Sequence, residues 1–454
     1  MDLKGKKVLV IGTGVSGIGS SHLLAQNDID VILFDQNKDN SIDKINEKID
    51  DADKNRITIV IGDLEDDIKR EISLVVPSPA VPLDTEFIED FRKRNIPIWS
   101  EIELAYNFAK GKLIAITGTN GKTTTTTLVG EIMKAYEKEV YVVGNIGHSY
   151  ALEAPNMTDS AVSVAELSSF QLEAVENFHA QVSAILNVTP DHLNRHHTME
   201  NYAACKENVT HNQTKDDVCV LNFDNEYTRD FARRCPARVI FFSSTQKIEN
   251  GFYLDGEEIM FADKENVIKI MNIHDMNLVG TCNIENVMAA IAMTMSMGVP
   301  MSTILRVIRD FKAVEHRIEY CGTKGGVDYY NDSKGTNPDA AIQGIKAMSK
   351  PTYLIGGGYD KGSEFDEWIN AFDGKVKELV LIGATADKID ACARKNGFNN
   401  IHHEKTFEDA MKYCSDNANE GEAVLLSPAC ASWDMFKSYE ERGKIFKDYV
   451  ASLK

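Results

Sequence analysis

Between Leu113 and Thr127 the chain reads LIAITGTNGKTTTTT. Gly118 and Gly121 free backbone N–H groups in a turn that also holds Thr119 and Asn120. Lys122 adds a point charge, and Thr123 or Thr124 offers a hydroxyl to Mg2+. These residue types at this spacing suit a nucleoside triphosphate. The standard P-loop has a glycine where this chain has Ile116. Downstream, Ala161–Glu166 (AVSVAE) ends in a carboxylate, the group expected to ligate Mg2+ beyond a phosphate loop. The segment Val188–His197 (VTPDHLNRHH) places His192 beside Asp191, a fitting Mg2+ or phosphate neighbour. No cysteine or HExxH pattern accompanies its three histidines, so a dedicated zinc site is not expected there. Lys206, in YAACKENV, looks on its own like any solvated lysine.

A second phosphate-type turn opens the chain. Lys7–Ile11 (KVLVI) runs into Gly12-Thr13-Gly14-Val15-Ser16-Gly17, and Asp35 closes the next apolar run. This GxGxxG pattern, with an acid for a ribose hydroxyl, predicts a Rossmann-type turn that holds a nucleotide diphosphate.

The elements that must position these groups alternate between strand and helix. Short apolar runs at 7–11, 30–34, 57–61, 72–77, 96–99, 113–116, 161–166 and 182–187 read as buried strands, each followed by a turn or helix. The proline-rich loop Pro77–Pro82 carries Ser78 at a strand's carboxyl end, where ligands gather in such sheets. Ser100 is expected to cap the helix leading out of this first part. Past residue 314, a Lys324-Gly325-Gly326 hairpin and the turns NDSKGTN (331–337), GGGYDK (356–361) and SPACASWD (427–434) punctuate another alternating α/β stretch.

Composition narrows the class. The 454 residues exceed one ordinary domain, and 43% hydrophobic with 26% charged residues suits a globular protein with full cores. The formal charge of −20 argues against nucleic-acid binding. Eight scattered cysteines without a CxxC pair predict free thiols in a reducing compartment. No signal peptide and no apolar run of membrane-spanning length are apparent, so a soluble cytoplasmic protein is expected.

TGTNGKTTT, Glu166 in AELSSFQLE, NVTPDHLNRH and Lys206 in YAACKENV stand in the order in which they occur in the Mur ligases. The chain resembles that family, ATP-dependent amide-forming enzymes of peptidoglycan synthesis, over nearly its whole length. The three C-terminal turns most resemble those of its D-glutamate-adding branch. The resemblance implies an α/β fold of three domains: a Rossmann-like UDP-binding domain (1–101), a central P-loop ATPase-like mononucleotide-binding domain (102–313) and a C-terminal Rossmann-like domain for the amino acid (314–454). It implies that UDP-N-acetylmuramoyl-L-alanine is activated by ATP as an acyl phosphate and captured by D-glutamate, in a monomer with no nucleic-acid or membrane partner.

Residue by residue, the resemblance gives ATP to Gly118, Thr119, Asn120, Gly121, Lys122, Thr123, Thr124, Asn283, Arg317, Asp332 and Lys334. The UDP substrate falls to Gly14, Val15, Ser16, Gly17, Asp35, Ser78, Asn145 and His192, and D-glutamate to Thr336, Lys361, Ser432 and Tyr439. Two Mg2+ ions would be held by Thr123, Glu166, His192 and a carbamylated Lys206. Lys122, His192, Lys206 and Arg317 would be catalytic. The chain departs from the family pattern at Ala80, Cys282 and Tyr439. Of two readings from other classes, an NAD-dependent oxidoreductase leaves the GTNGKTT turn and Lys206 without a role, and a nucleotide-dependent regulatory switch would be dismissed by phosphate release that requires both the UDP-linked substrate and D-glutamate.

Overall fold

The structure, a computed structural model, describes residues 3–312 and 314–453; the expected boundary at 313 and the chain's end positions 1 and 454 lie outside the described residues. The chain gathers into two compact units. One runs to Ile270 and takes in Met288–Val307; the other comprises Met271–Val287 and the chain from Ile308.

The first unit begins with a parallel sheet of β1 (Lys7–Ile11), β2 (Asp30–Asp35), β3 (Ile57–Ile61) and β4 (Ile72–Pro77), in the order β3-β2-β1-β4. The apolar residues of β1 and β4 are almost wholly buried, as a parallel sheet covered on both faces requires. Strand order reverses between β1 and β4, the switch point where such sheets bind ligands. The two loops meet there, with Ser78 N–H donating to Ile11 O at 2.8 Å.

The expected strand at 96–99 is instead a single bridge from Ile98 to Val75. Pro97 has no N–H to give a ladder, so the pairing does not extend. Ser100 caps the next helix, Glu101–Phe108, as expected. Its buried Glu103 carboxylate accepts the N–H groups of Glu176, Asn177 and Phe178, pinning the segment after Leu172.

The next sheet has nine strands: β5 (Lys112–Thr117), β6 (Val140–Gly144), β7 (Val162–Glu166), β8 (Val182–Ile185), β9 (Val218–Asn222), β10 (Arg238–Ser243), β11 (Gly251–Asp255), β12 (Glu258–Asp263) and β13 (Asn266–Asn272). Their order is β13-β12-β11-β10-β9-β8-β5-β7-β6. β5 lies mid-sheet, parallel to β7 and β8, so the phosphate turn, Glu166 and the segment after Ile185 leave the same end. One hydrophobic core runs under both sheets of this unit, from Leu3 through Trp99 and Ile102 to Phe231.

The other unit holds β14 (Glu319–Lys324), β15 (Val327–Asn331), β16 (Thr352–Gly357), β17 (Val376–Ile382), β18 (Ile401–His403) and β19 (Ala423–Leu426), in the order β14-β15-β19-β16-β17-β18. The expected hairpin pairs β14 and β15 antiparallel; the remaining pairs are parallel. Among the described residues no helix is long and apolar enough to cross a membrane.

Candidate active site

In the first sheet, the turn after β1 works because Gly17 has no side chain: a Cβ there would stand 1.8 Å from Gly12 O. The helix Val15–Gln26 can therefore start directly under the turn, aiming free N–H groups outward. Gly14, Val15, Ser16, Asp35 and Ser78 line a cavity of about 640 Å3. Asp35 accepts a 2.8 Å hydrogen bond from Thr13 Oγ1, which orients its carboxylate at the rim. Ser78 Oγ is buried without a hydrogen-bond partner, an acceptor and donor held ready for a polar ligand. Gly17→Ala is expected to force the turn apart at a cost of about 1–3 kcal/mol. The loss should appear as at least about tenfold weaker binding of the UDP-linked substrate, with ATP affinity unchanged by isothermal titration.

The second turn sits between β5 and the helix Lys122–Lys134. Gly121 caps that helix at φ 85°, a left-handed conformation that glycine adopts without strain. Asn187 staples the turn from β8's side, accepting from Asn120 N–H at 2.8 Å while its own amide donates to Asn120 O at 3.1 Å. Thr119 N–H bonds Asn187 O, and Thr119 Oγ1 accepts from Thr189 N–H at 3.0 Å. Lys122 Nζ donates to Gly118 O and Thr119 O, both at 2.9 Å, so its ammonium lies over the turn.

Lys206 is no solvated lysine: it is 1% exposed. The helix Met199–Glu207 carries it under the same turn, where its Nζ donates to Gly118 O at 2.8 Å and lies 4.6 Å from the centre of the Tyr202 ring. Two lysines thus share one carbonyl oxygen. Burial first, and the neighbouring Lys122 charge second, hold the Lys206 amine well below the ordinary lysine range. Glu166 is buried at the end of β7, with Oε1 taking the Asn145 amide at 2.8 Å and Oε2 buried without a partner. His192 adopts a left-handed φ of 54°, accepts Phe170 against its ring at 4.9 Å and lies 6.4 Å from the Tyr202 ring.

In the other unit, the turns after β15, β16 and β19 interlock. Ser427 Oγ donates to Asp332 Oδ2 at 2.7 Å, Tyr359 pairs with Ala431, and Ser333 Oγ donates to Tyr439 O at 2.8 Å. Arg317 lies 3.8 Å from Asp332 Oδ1, between two residues at positive φ, His316 at 65° and Ile318 at 45°. A β-branched residue in that region is strained, and Ile318 N–H is held there by Asp332 Oδ1 at 3.3 Å. Lys334 Nζ lies 5.6 Å from the Tyr439 ring centre, Thr336 follows on the same turn, Ser432 is buried, and Lys361 is exposed on the loop after β16. Asn283 is buried near the start of the helix Thr281–Ser296, with its amide on Val279 O at 2.8 Å. Burial pushes the Cys282 thiol up to about 12, which leaves it protonated and inert.

Burial raises the Asp332 carboxyl to about 6, against the opposing pull of Arg317 and Ser427. An unfolded aspartate titrates near about 3.9, so between these values the folded chain holds the extra proton. This group's contribution to stability is therefore complete below about pH 4 and lost as pH rises through about 6, roughly 3 kcal/mol at most. Asp332→Asn should flatten that slope, read as a smaller change in amide-exchange protection of β15 and β19 between pH 5 and pH 7.5.

Comparison with known proteins agrees with this geometry. Residues 6–100 match the MurD-like N-terminal domain of Mur ligases, 116–294 the Mur ligase middle domain and 316–430 the Mur ligase glutamate ligase domain. The chain is 56% identical over 453 residues to the UDP-N-acetylmuramoylalanine–D-glutamate ligase of Lachnospira eligens, with 100% of both chains covered. The chain belongs to the Mur ligase family. A ligase of the same name from Lachnoclostridium phytofermentans is 51% identical, again with 100% of both covered. Among solved structures, the UDP-N-acetylmuramate–alanine ligase of Thermotoga maritima shares the fold, with a TM-score of 0.58 at 18% identity over 98% of this chain and 99% of that one.

As a Mur ligase the chain is an α/β enzyme of three family domains that uses ATP, and with it Mg2+. Two residues that hold the site together were not among the expected site residues. Arg442, 1% exposed in the helix Tyr439–Ser452, donates to Ser333 Oγ and Ser333 O at 2.9 and 2.8 Å and to Cys430 O at 3.3 Å, clamping two turns. Burial lowers it to about 10, so it remains charged at neutral pH. Arg195 donates to Val81 O at 2.8 Å and to Glu173 Oε2 at 2.7 Å, joining the loop that lines the first cavity to the second sheet.

Proposed function

We propose that this enzyme joins D-glutamate to UDP-N-acetylmuramoyl-L-alanine at the expense of ATP, a step of peptidoglycan precursor synthesis. The observation that carries the reading is the full-length identity to relatives of that name, combined with a diphosphate-type cavity and a triphosphate-type turn in one unit. Domains 1–101, 102–313 and 314–454 would take the UDP group, ATP and the amino acid in turn.

A carboxylate is a poor electrophile, and oxide is a poor leaving group. The alanyl carboxylate oxygen therefore attacks the γ-phosphorus, the bond to ADP breaks, and an acyl phosphate forms. The glutamate amine then attacks the carbonyl carbon, loses a proton, and phosphate departs with the former carboxylate oxygen. Gly14, Val15, Ser16, Gly17 and Asp35 hold the UDP group, the loop at Ser78 and Asn145 place the sugar and diphosphate, and His192 also meets this substrate. Gly118, Thr119, Asn120, Gly121, Lys122 and Thr124 cradle the phosphates, and Lys122 neutralises charge as phosphoryl moves. Arg317 shares that task; Asn283, Asp332 and Lys334 meet the nucleoside. Thr336, Ser432 and Tyr439 seat D-glutamate, whose side-chain carboxylate Lys361 pairs.

The residues present suit Mg2+. The buried, partnerless Glu166 Oε2 is a hard anionic oxygen whose burial is costly unless a cation meets it. Thr123, Glu166, His192 and a carbamylated Lys206 would hold two ions, which when bound neutralise the phosphate oxygens. An ammonium cannot ligate a cation, but burial disfavours the charged form of Lys206, and its free amine can attack carbon dioxide, release one proton and become an anionic oxygen donor. Free thiols and the ATP requirement suit work in a reducing cytoplasm.

ADP release measured across a panel of UDP-muramoyl acceptors and amino acids tests the assignment. Turnover should require UDP-N-acetylmuramoyl-L-alanine and D-glutamate together. Equal turnover with L-glutamate or with a diaminopimelate-type acceptor pair would overturn it.

A further inference from the structure

Three metal-binding donors converge beside the substrate loop, outside the residues assigned to Mg2+. Glu173 closes the helix Ser169–Leu172, His196 ends the helix Leu193–His196, and Cys205 lies on Met199–Glu207. His196 Nδ1 stands 3.4 Å from Glu173 Oε1 and 3.6 Å from Cys205 Sγ, and the three donor atoms lie within 4.8 Å of one another. The nitrogen–oxygen separation is too long for a good hydrogen bond. It is the right length for something else. With zinc–nitrogen and zinc–oxygen bonds of about 2.1 Å and a zinc–sulfur bond of about 2.3 Å, a tetrahedral ion sets donor separations of about 3.4 Å and about 3.6 Å.

The surroundings fit ligation as well. His196 Nε2 lies 2.9 Å from Ser169 Oγ, the kind of outer partner that fixes the orientation of a ligating imidazole. Arg195 grips both Glu173 oxygens, Nη2 donating to Oε2 at 2.7 Å and Nε to Oε1 at 3.2 Å, which orients the carboxylate and compensates its charge. Glu173 also lines a surface cavity of about 410 Å3.

We propose that Glu173, His196 and Cys205 form a site for a thiophilic divalent cation, Zn2+, with water as the fourth ligand. Binding exchanges the Cys205 S–H bond for a metal–sulfur bond and releases that proton to solvent; no electron is transferred. The mixed thiolate, imidazole and carboxylate set separates this site from the oxygen-rich one expected for Mg2+. The proposal goes beyond the ligase reading and does not depend on it.

The test uses the full-length protein, stripped with a chelator and titrated with Co2+ in excess Mg2+. A thiolate-to-cobalt charge-transfer band should saturate at one Co2+ per chain and be bleached by one equivalent of Zn2+. Cys205→Ser should abolish the band, with Cys205→Ala in its place if the serine variant does not melt cooperatively. His196→Gln, which keeps the thiol, should weaken Zn2+ binding at least about tenfold. The absence of a saturable band in the unaltered protein would overturn the site. So would a band that survives loss of the Cys205 thiol, since it would then belong to other cysteines such as Cys219 and Cys235.

Discussion

Lys206→Ala should lower kcat by at least about 1,000-fold while leaving UDP-substrate binding measurable, and short carboxylates supplied in the assay should restore part of the activity. The expectation follows from burial. A side chain 1% exposed, donating to Gly118 O and pressed by the Lys122 charge, is a poor place for an ammonium. An anionic carbamate between Glu166 and the phosphate turn has a cation to hold, and acetate or formate in the cavity left by alanine can supply the same oxygen. Lys206→Met, which fills the space without the chemistry, separates lost packing from lost function. Near-normal turnover of the alanine variant without added carboxylate would remove the carbamate from the account. Growth of labelled protein on carbon-13 bicarbonate should also show a carbamate carbon resonance that is missing in both variants.

Lys122→Ala is expected to reduce kcat by about 100- to 1,000-fold. Its ammonium already lies over the turn, tethered to two carbonyls, so it need only pivot to meet phosphate oxygens. In phosphoryl transfer the protein mostly supplies position and positive charge, and this residue supplies both. Loss of Lys122 should leave the first cavity intact, because that cavity is built on β1, β2 and β4. Calorimetric affinity for the UDP-linked substrate should therefore be unchanged. A parallel collapse of both properties would mean that Lys122 supports the fold and not the reaction.

The features legible in the sequence were local ones. The two glycine turns lie at strand ends as the patterns GxGxxG and GTNGKTT predict, since close approach and positive φ demand glycine itself. Buried parallel strands such as β1, β4, β5 and β7 stood out as continuous apolar runs. The strands β9 to β13 were not anticipated. In β13 Lys269 interrupts the apolar residues, two of which are exposed, and the β11–β12 pairing depends on a turn at Gly256. The segment 96–99 misled for the opposite reason, being apolar enough for a strand yet broken by Pro97.

Side-chain clusters were the hardest to foresee. Arg442 meets Ser333 and Cys430 from far along the chain, and nothing in its helix distinguishes it from a surface arginine. The histidines of 188–197 offered no cysteine nearby, but folding brings Cys205 to His196 across one turn and Glu173 from the preceding helix. The family resemblance named Lys206 where its neighbours in sequence did not; only the fold explains why a lysine is there, buried against a carbonyl it shares with Lys122.

The central claim is that ATP energises the substrate's own carboxylate before the amine arrives. Oxygen-18 placed in the alanyl carboxylate of UDP-N-acetylmuramoyl-L-alanine follows that step directly. One labelled oxygen should leave in the inorganic phosphate for each amide formed, because it becomes the bridge of the acyl phosphate. Phosphate free of label, with amide formed at the normal rate, would contradict the account.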